Sequence, residues 1–399
     1  MTRDLEDIST DLTRTSASAK LYQETGLEKY RQEALEHATR LVRSLEKPAD
    51  AIYKLFLQPS VLMAVKTAHD LGIFTMLSTT DSFVTCEQLA AAENADVPLV
   101  ERIMRVLVCN GFAKERGLNQ YVPTAWSTQM TKRTTIDMAD SMFIDSLPVF
   151  HKTPEFLKKT GYKNPEDPYN TPLQYAYKSS GTCWDWFREH PVALQRFNTF
   201  MEGTRANTPH WADWFPVQER ILDGALTDRP LLVDIGGGRG HDLAGFKDRF
   251  PSVTGKLILE DLPPVIEDIQ DLSKDIRRIK HDFFTPQPIK GARAYYLKNI
   301  MHDWSDENCR RILNHITSAM EKGYSKLLLE DYIVPDQNAG ARETLLDMTV
   351  MVWCPGIERT RRQWTELLQS VGLVIRNFWL PEGHAKGVIE AELLDARGI

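Results

Sequence analysis

Between Leu231 and His241 the chain reads Leu-Leu-Val-Asp-Ile-Gly-Gly-Gly-Arg-Gly-His, and few folds accommodate that order. The apolar run ending in an acid reads as a buried strand. Glycine fills four of the next five positions, which lets the backbone take positive φ and approach a ligand closely. A helix opening near His241 points unpaired N–H groups back at the same place, a setting that favours an anionic group. A tight strand–helix turn by itself explains one or two glycines, not four. From Pro230 onward, candidate strands at 231–235, 256–260, 276–279, 294–297, 326–330, 374–379 and 387–390 alternate mostly with helical segments. That alternation predicts an α/β unit, a mostly parallel sheet with helices on both faces and a ligand crevice at the strands' carboxyl ends.

The glycine spacing narrows the ligand. The dinucleotide pattern GxGxxG fails, because counting from Gly236 puts its last position on His241 and counting from Gly237 asks for glycine at Arg239. No GxxxxGK[ST] run is present either, so a nucleoside triphosphate is not indicated. What remains is GxGxG after Asp234, with Asp261 ending the second strand, where an acid accepts both ribose hydroxyls. S-adenosylmethionine suits that set: it carries a carboxylate, an ammonium and a ribose but no phosphate. With 48 Lys+Arg against 55 Asp+Glu, a net charge of −7 leaves no basic footprint for nucleic acid. No apolar run approaches the roughly 20 residues of a membrane span, and the start, MTRDLEDISTDL, lacks the apolar core of a signal peptide. The five cysteines form no CxxC pair, which implies reduced thiols, no metal site and a cytoplasmic location.

The N-terminal third has a different texture. Residues 1–20 are polar and Ser/Thr-rich, which predicts a frayed end. Helical spacing runs over 27–45 and again, more apolar, over 49–77, where Val61, Ala64, Val65, Ala68 and Leu71 form one stripe. Thr85-Cys86-Glu87-Gln88 fits a capping box. Asp96 and Pro98 open a further helix, and 112–122 reads as a hairpin around Gly117-Leu118-Asn119. Helices followed by a hairpin make a winged-helix pattern. The helix that would enter a DNA groove, 97–110, carries only Arg102 and Arg105 as basic residues, so dimerisation or a lid over the substrate fits better than DNA binding. Apolar surface on more than one stripe of 49–77 points to burial against a second copy, a homodimer. The expected division is a helical dimerisation domain over 1–130 and a catalytic domain over 131–399, whose residues 131–225 are aromatic-rich substrate helices.

The second strong motif is Leu297-Lys298-Asn299-Ile300-Met301-His302-Asp303-Trp304-Ser305-Asp306-Glu307. His302 follows the fourth strand at the ligand edge, where an imidazole can take a proton near neutral pH. In order, VDIGGGRG at 233–240, DLPPVI at 261–266, HDFF at 281–284, LKNIMHDWSDE at 297–307, LLLEDYIVP at 327–335 and PGIERT at 355–360 carry a family likeness. They resemble the plant caffeic-acid and flavonoid type of S-adenosylmethionine-dependent O-methyltransferase, and more closely its fungal secondary-metabolite relatives. The resemblance implies a Rossmann-like class I methyltransferase sheet with a winged-helix-like dimerisation domain. It implies that Gly236, Gly237 and Gly238 hold the amino-acid end of the cofactor, Asp261 and Leu262 its ribose, Asp282 and Phe283 its adenine, with Lys298 facing it. By the same resemblance His302 is the general base, and Glu358 is one of two acids orienting it. The other is Glu330 or Asp331; strand alternation lets only one face His302, and counting back from Pro335 favours Asp331. Phe197 and Met201 match the family's apolar substrate wall, with Val350, Met351 and Trp353 closing the other side.

Two departures from the plant pattern stand out: Arg239 adds a charge beside the cofactor loop, and PGIERT is one residue shorter than the plant PGGKERT. The implied reaction is in-line methyl transfer to a phenolic or enolic hydroxyl of an aromatic or polyketide-type metabolite, without a metal. Some fungal members of the family are instead pericyclases, which bind the cofactor and steer dehydration or cyclisation of a polyketide; His302, Asp303 and Glu358 favour methyl transfer. A non-enzymatic winged-helix regulator is the remaining alternative, and the poor basic content of 97–110 counts against it.

Overall fold

The computed structural model describes residues 2–206 and 208–394. The chain forms two compact units, Met1–Leu147 with His190–Asn207, and Pro148–Glu189 with Thr208–Ile399. The division drawn from the sequence at 130/131 separates pieces that pack together. The helix Pro191–Ala206 lies against Arg133–Asp140 in the first unit. Arg196 forks onto Asp145 at 2.6 and 3.1 Å, and Gly203 lies so close to Thr134 that a Cβ there would meet it at 2.6 Å.

The first unit begins with two paired helices, Thr2–Thr25 and Glu28–Leu45, joined through Gly26 at φ +67°. The polar start is therefore helical rather than frayed. The pairing supports it, since helical stability in proteins comes mostly from tertiary packing: Asp11 faces Arg40 at 3.3 Å and His37 at 3.5 Å. The expected helix over 49–77 is two, Pro48–Asp70 and Ile73–Thr79, broken where Gly72 takes φ +65°. Ala64, Ala68, Ile73, Phe74 and Leu77 are buried, while Tyr53 and Phe56 are 70% and 77% exposed. Thr85 caps Cys86–Ala92 through the reciprocal bonds of a capping box with Gln88, at 3.3 and 2.9 Å. Strand β1 (Val84–Thr85) precedes this helix, and β2 (Ala113–Gly117) and β3 (Gln120–Pro123) follow the next one, Val97–Cys109; the three form a small antiparallel sheet in the order β1-β3-β2. This is the winged-helix pattern.

The second unit holds all seven expected strands: β4 (Pro230–Ile235), β5 (Lys256–Asp261), β6 (Ile276–Lys280), β7 (Ala294–Lys298), β8 (Lys326–Tyr332), β9 (Leu373–Trp379) and β10 (Lys386–Leu393). Their order is β6-β5-β4-β7-β8-β10-β9, parallel up to β8 and closed by an antiparallel pair. The central strands are buried on both faces, so they read as continuous apolar runs. Val233, Tyr295, Leu297, Leu327 and Leu329 pack one way, with Ile312 and Trp364. Leu232, Leu259, Tyr296 and Leu328 pack the other, with Trp211 and Phe246. The strand order reverses between β4 and β7, which sets the crevice at their carboxyl ends.

Candidate active site

At the end of β4 the chain turns through Gly236, at φ +70°, and Gly236 and Gly237 donate their N–H groups to Glu260 O at 2.8 and 3.2 Å. Two glycines there serve different needs. A Cβ on Gly237 would lie 2.4 Å from Asp234 Oδ2 and 2.6 Å from Leu259 Cδ1, so this residue is glycine because the loop packs onto the sheet. Gly238, at φ +60°, meets nothing within 4 Å and faces open space. Its N–H donates to Asp261 Oδ2 at 2.8 Å, and Leu262 N donates to Asp261 Oδ1 at 2.7 Å. Burial lifts the Asp261 carboxyl above its ordinary pKa, and these two backbone bonds oppose the lift. The helix His241–Arg249 starts beyond Gly240.

Lys298, at the tip of β7, reaches Asp242 Oδ1 at 2.7 Å and Glu330 Oε1 at 3.4 Å. Tyr296 also donates its hydroxyl to Glu330. On the far side of Asp261, Asp282 is exposed and accepts from Phe284 N at 2.9 Å, while Phe283 packs against Phe284 and Trp304. Ile300 and Phe283 stand over Gly236. Thus Asp234, Gly236, Gly237, Gly238, Asp261, Leu262, Asp282, Phe283 and Lys298 surround the carboxyl ends of β4, β5, β6 and β7. Asp242 and Tyr296, which no quoted motif announces, join them, as does Glu330, the acid of β8 on this side. Arg239 turns away to an exposed pair with Asp268 at 2.6 Å.

His302 lies on a single 3-10 turn, Met301–Asp303, after β7. Its Nδ1 meets Glu358 Oε1 at 2.8 Å and its Nε2 lies 3.5 Å from Asp303 Oδ1. Burial by itself drives the imidazole pKa down, but the carboxylates of Asp303, Glu358 and Asp331 outweigh it and lift His302 to about 10. Asp331, fully buried, is raised to about 7 by desolvation, with the nearby imidazole opposing. Both its carboxylate oxygens lack a hydrogen-bond partner among the described residues, as does Glu358 Oε2. The alternation of β8 puts the neighbouring acids on opposite faces: Asp331 follows Leu327 and Leu329 on the side of His302, and Glu330 follows Leu328 to Tyr296 and Lys298.

The loop after Trp353 wraps this turn. Gly356 sits where a Cβ would lie 2.1 Å from His302 O, and Ile357 N donates to that same carbonyl at 2.9 Å. Glu358 N donates to Asp347 Oδ1 at 2.7 Å. Among the expected substrate residues, Val350 and Met351 lie on the helix Ala341–Trp353, and Val350 Cγ1 is 2.5 Å from the Cβ that Gly356 lacks. Trp353 stacks on Phe187 at 5.0 Å and 3°, with Trp186 edge-on at 5.4 Å. Cys354 Sγ donates to Asp303 Oδ1 at 3.8 Å, which links that aromatic cluster to the histidine turn. Phe197 and Met201 are on Pro191–Ala206, in the other compact unit.

A doubly wound sheet with this glycine loop and this buried histidine–carboxylate group defines a class, and sequence comparison gives its family. Residues 212–374 match the O-methyltransferase domain and residues 53–133 the O-methyltransferase dimerisation domain. The chain belongs to the O-methyltransferase family. It is 38% identical over 365 residues to the O-methyltransferase mfmE of Annulohypoxylon moriforme, covering 91% of this chain and 90% of that protein. Among solved structures it resembles LepI in complex with S-adenosylmethionine, with a TM-score of 0.85, 27% identity and coverage of 97% and 99% of the two chains. A structure described as a pericyclic reaction enzyme matches equally well, with a TM-score of 0.85, 27% identity and 97% and 100% coverage.

Proposed function

We propose that this chain is an S-adenosylmethionine-dependent O-methyltransferase acting on a phenolic or enolic hydroxyl of an aromatic or polyketide-type secondary metabolite, with His302 as general base. The observation that carries the proposal is His302 held by Glu358 at 2.8 Å among buried carboxylates, on the turn after β7, the neighbour of the strand that runs into the glycine loop. The loop residues fit the cofactor: open space faces Gly238, and Asp261 presents its carboxylate beside it for a ribose. Lys298 and the start of the helix at His241 offer positive charge and N–H groups to an amino-acid carboxylate. When bound, S-adenosylmethionine supplies a methyl group made electrophilic by its positive sulfur.

The chain's own part is to orient the acceptor and take its proton. A phenol has a pKa near 10 and an ordinary histidine about 6.5, so full transfer to such a histidine is uphill by roughly 5 kcal/mol. The carboxylates around His302 lift it to about 10, which brings the two nearly level. The acids therefore act through the imidazole, and His302 draws the proton off as the new C–O bond forms.

The same lift predicts a pH dependence. Near pH 7 the imidazole is mostly protonated, and the neutral base grows about tenfold per pH unit. kcat/KM is expected to climb from pH 7 toward 10. Glu358→Gln removes a negative neighbour, lowers the His302 pKa and moves this limb to lower pH. A pH–rate profile checks it; a limb that stays in place or moves upward contradicts the assignment. The pericyclase reading is supported by the likeness to a pericyclic reaction enzyme, and it differs in leaving the cofactor unconsumed.

For assembly, the exposed Tyr53 and Phe56 lie at the start of the matched dimerisation domain. The expected species is a homodimer buried through this helix. Phe56→Asp is expected to shift sedimentation at micromolar concentration from dimer to monomer; a wild-type monomer contradicts it. No helix among the described residues is long and apolar enough to cross a membrane.

A further inference from the structure

We infer that Arg359 is a positioning residue for the proton transfer, tying together the three segments that carry His302, Glu358 and Asp331. The inference rests on the reading of His302 as general base. Arg359 is 1% exposed, unusual for a residue that stays charged. Its guanidinium fork is spent on the histidine turn: Nη1 donates to Met301 O at 2.9 Å and Nη2 to Trp304 O at 2.8 Å. Those two carbonyls bracket His302 and Asp303. Nε donates to Asp306 Oδ1 at 2.9 Å, in the first turn of the helix that follows, and Nη2 also reaches Cys309 Sγ at 3.3 Å. The planar group lies over the Trp364 ring at 5.3 Å.

Its backbone faces the third segment. Arg359 O accepts from Val334 N at 3.1 Å, and Thr360 bridges Val334, three residues beyond Asp331 on the chain leaving β8. Its sequence neighbour Glu358 makes the bond to His302 Nδ1. One residue thus fixes the turn that carries the base, the loop that carries its acid and the exit of the strand that carries the second acid. A buried charge is costly to keep, and an apolar side chain would serve packing at least as well. What only a fork supplies is two parallel donors in fixed geometry. A lysine cannot reproduce that reach.

The test compares Arg359→Lys and Arg359→Met with His302→Ala in the full-length protein. The readouts are kcat, the pH–rate limb and S-adenosylhomocysteine affinity by calorimetry. Arg359→Met is expected to lower kcat about 10²-fold, the scale of a misplacement near 1 Å, and Arg359→Lys by about tenfold. Both are expected to move the limb toward lower pH as the imidazole loses its alignment with Glu358, with cofactor affinity nearly unchanged. If Arg359→Met does not fold, Arg359→Lys decides. Unchanged kcat and pH limb in Arg359→Lys overturn the inference, as does a loss of cofactor affinity matching the loss of kcat, which marks a purely structural role. If His302→Ala itself keeps full turnover, the base assignment fails instead, and the two failures are told apart.

Discussion

His302→Ala is expected to lower turnover roughly 10²–10⁴-fold, the usual contribution of a positioned acid or base. Affinity for S-adenosylhomocysteine should stay nearly unchanged. The imidazole is committed to Glu358 and Asp303, and none of its hydrogen bonds or ion pairs goes to the glycine loop or Asp261. Removing it therefore subtracts the proton acceptor without disturbing the cofactor residues. Glu358→Gln is expected to cost less, because it keeps the shape and a hydrogen bond while losing a charge. Turnover under cofactor saturation, measured beside calorimetry, separates the two effects. A parallel fall in both quantities would mean that His302 supports the fold of the crevice rather than the chemistry.

The second large effect is expected in the glycine loop, and it differs between adjacent positions. In Gly237→Ala the new methyl would sit 2.4 Å from Asp234 Oδ2 and 2.6 Å from Leu259. Neither neighbour can retreat easily: Leu259 is fully buried and Asp234 is 1% exposed. Overpacking of this kind costs about 1–3 kcal/mol, so thermal stability and cofactor affinity should fall together. Gly238→Ala meets no protein atom within 4 Å, and its backbone at φ +60° adds only about 1–2 kcal/mol of strain. Its methyl instead projects into the space assigned to the ligand. The expected pattern is a modest drop in melting temperature with cofactor affinity lost by more than tenfold, read by thermal melts and calorimetry. Gly238→Ala protein that binds S-adenosylhomocysteine like the wild type would place the ligand elsewhere.

What could be read in the sequence follows from how local the determinants are. The central strands of the second unit are legible because burial on both faces makes them apolar runs between helices. The glycine loop, Asp261 and His302 were legible because each sits at a strand end with its own motif. Glu330 and Asp331 needed only the two-residue period of a strand to be sorted, once Leu327 and Leu329 fixed the faces. Other features depend on partners distant in sequence. Arg359 and Met301 are 58 residues apart, and nothing near either signals the bond. Asp242 is defined by Lys298, 56 residues on. The helix Pro191–Ala206 joins the first unit through contacts such as Arg196–Asp145, which no local pattern encodes. The start of the chain reads as frayed because its polar composition hides a helix that packs on its neighbour, Glu28–Leu45.

The central claim, that the chemistry at His302 is methyl transfer, is tested most directly by stoichiometry. Purified protein is incubated with S-adenosylmethionine and a panel of phenolic and polyketide acceptors, and product and S-adenosylhomocysteine are quantified together by mass spectrometry. The expected result is one S-adenosylhomocysteine for each product, with a gain of about 14 Da on the acceptor oxygen, and His302→Ala lowers the rate of both in parallel. Product that forms in the presence of S-adenosylmethionine, without that mass gain and without S-adenosylhomocysteine, would contradict methyl transfer and assign the site to pericyclic chemistry.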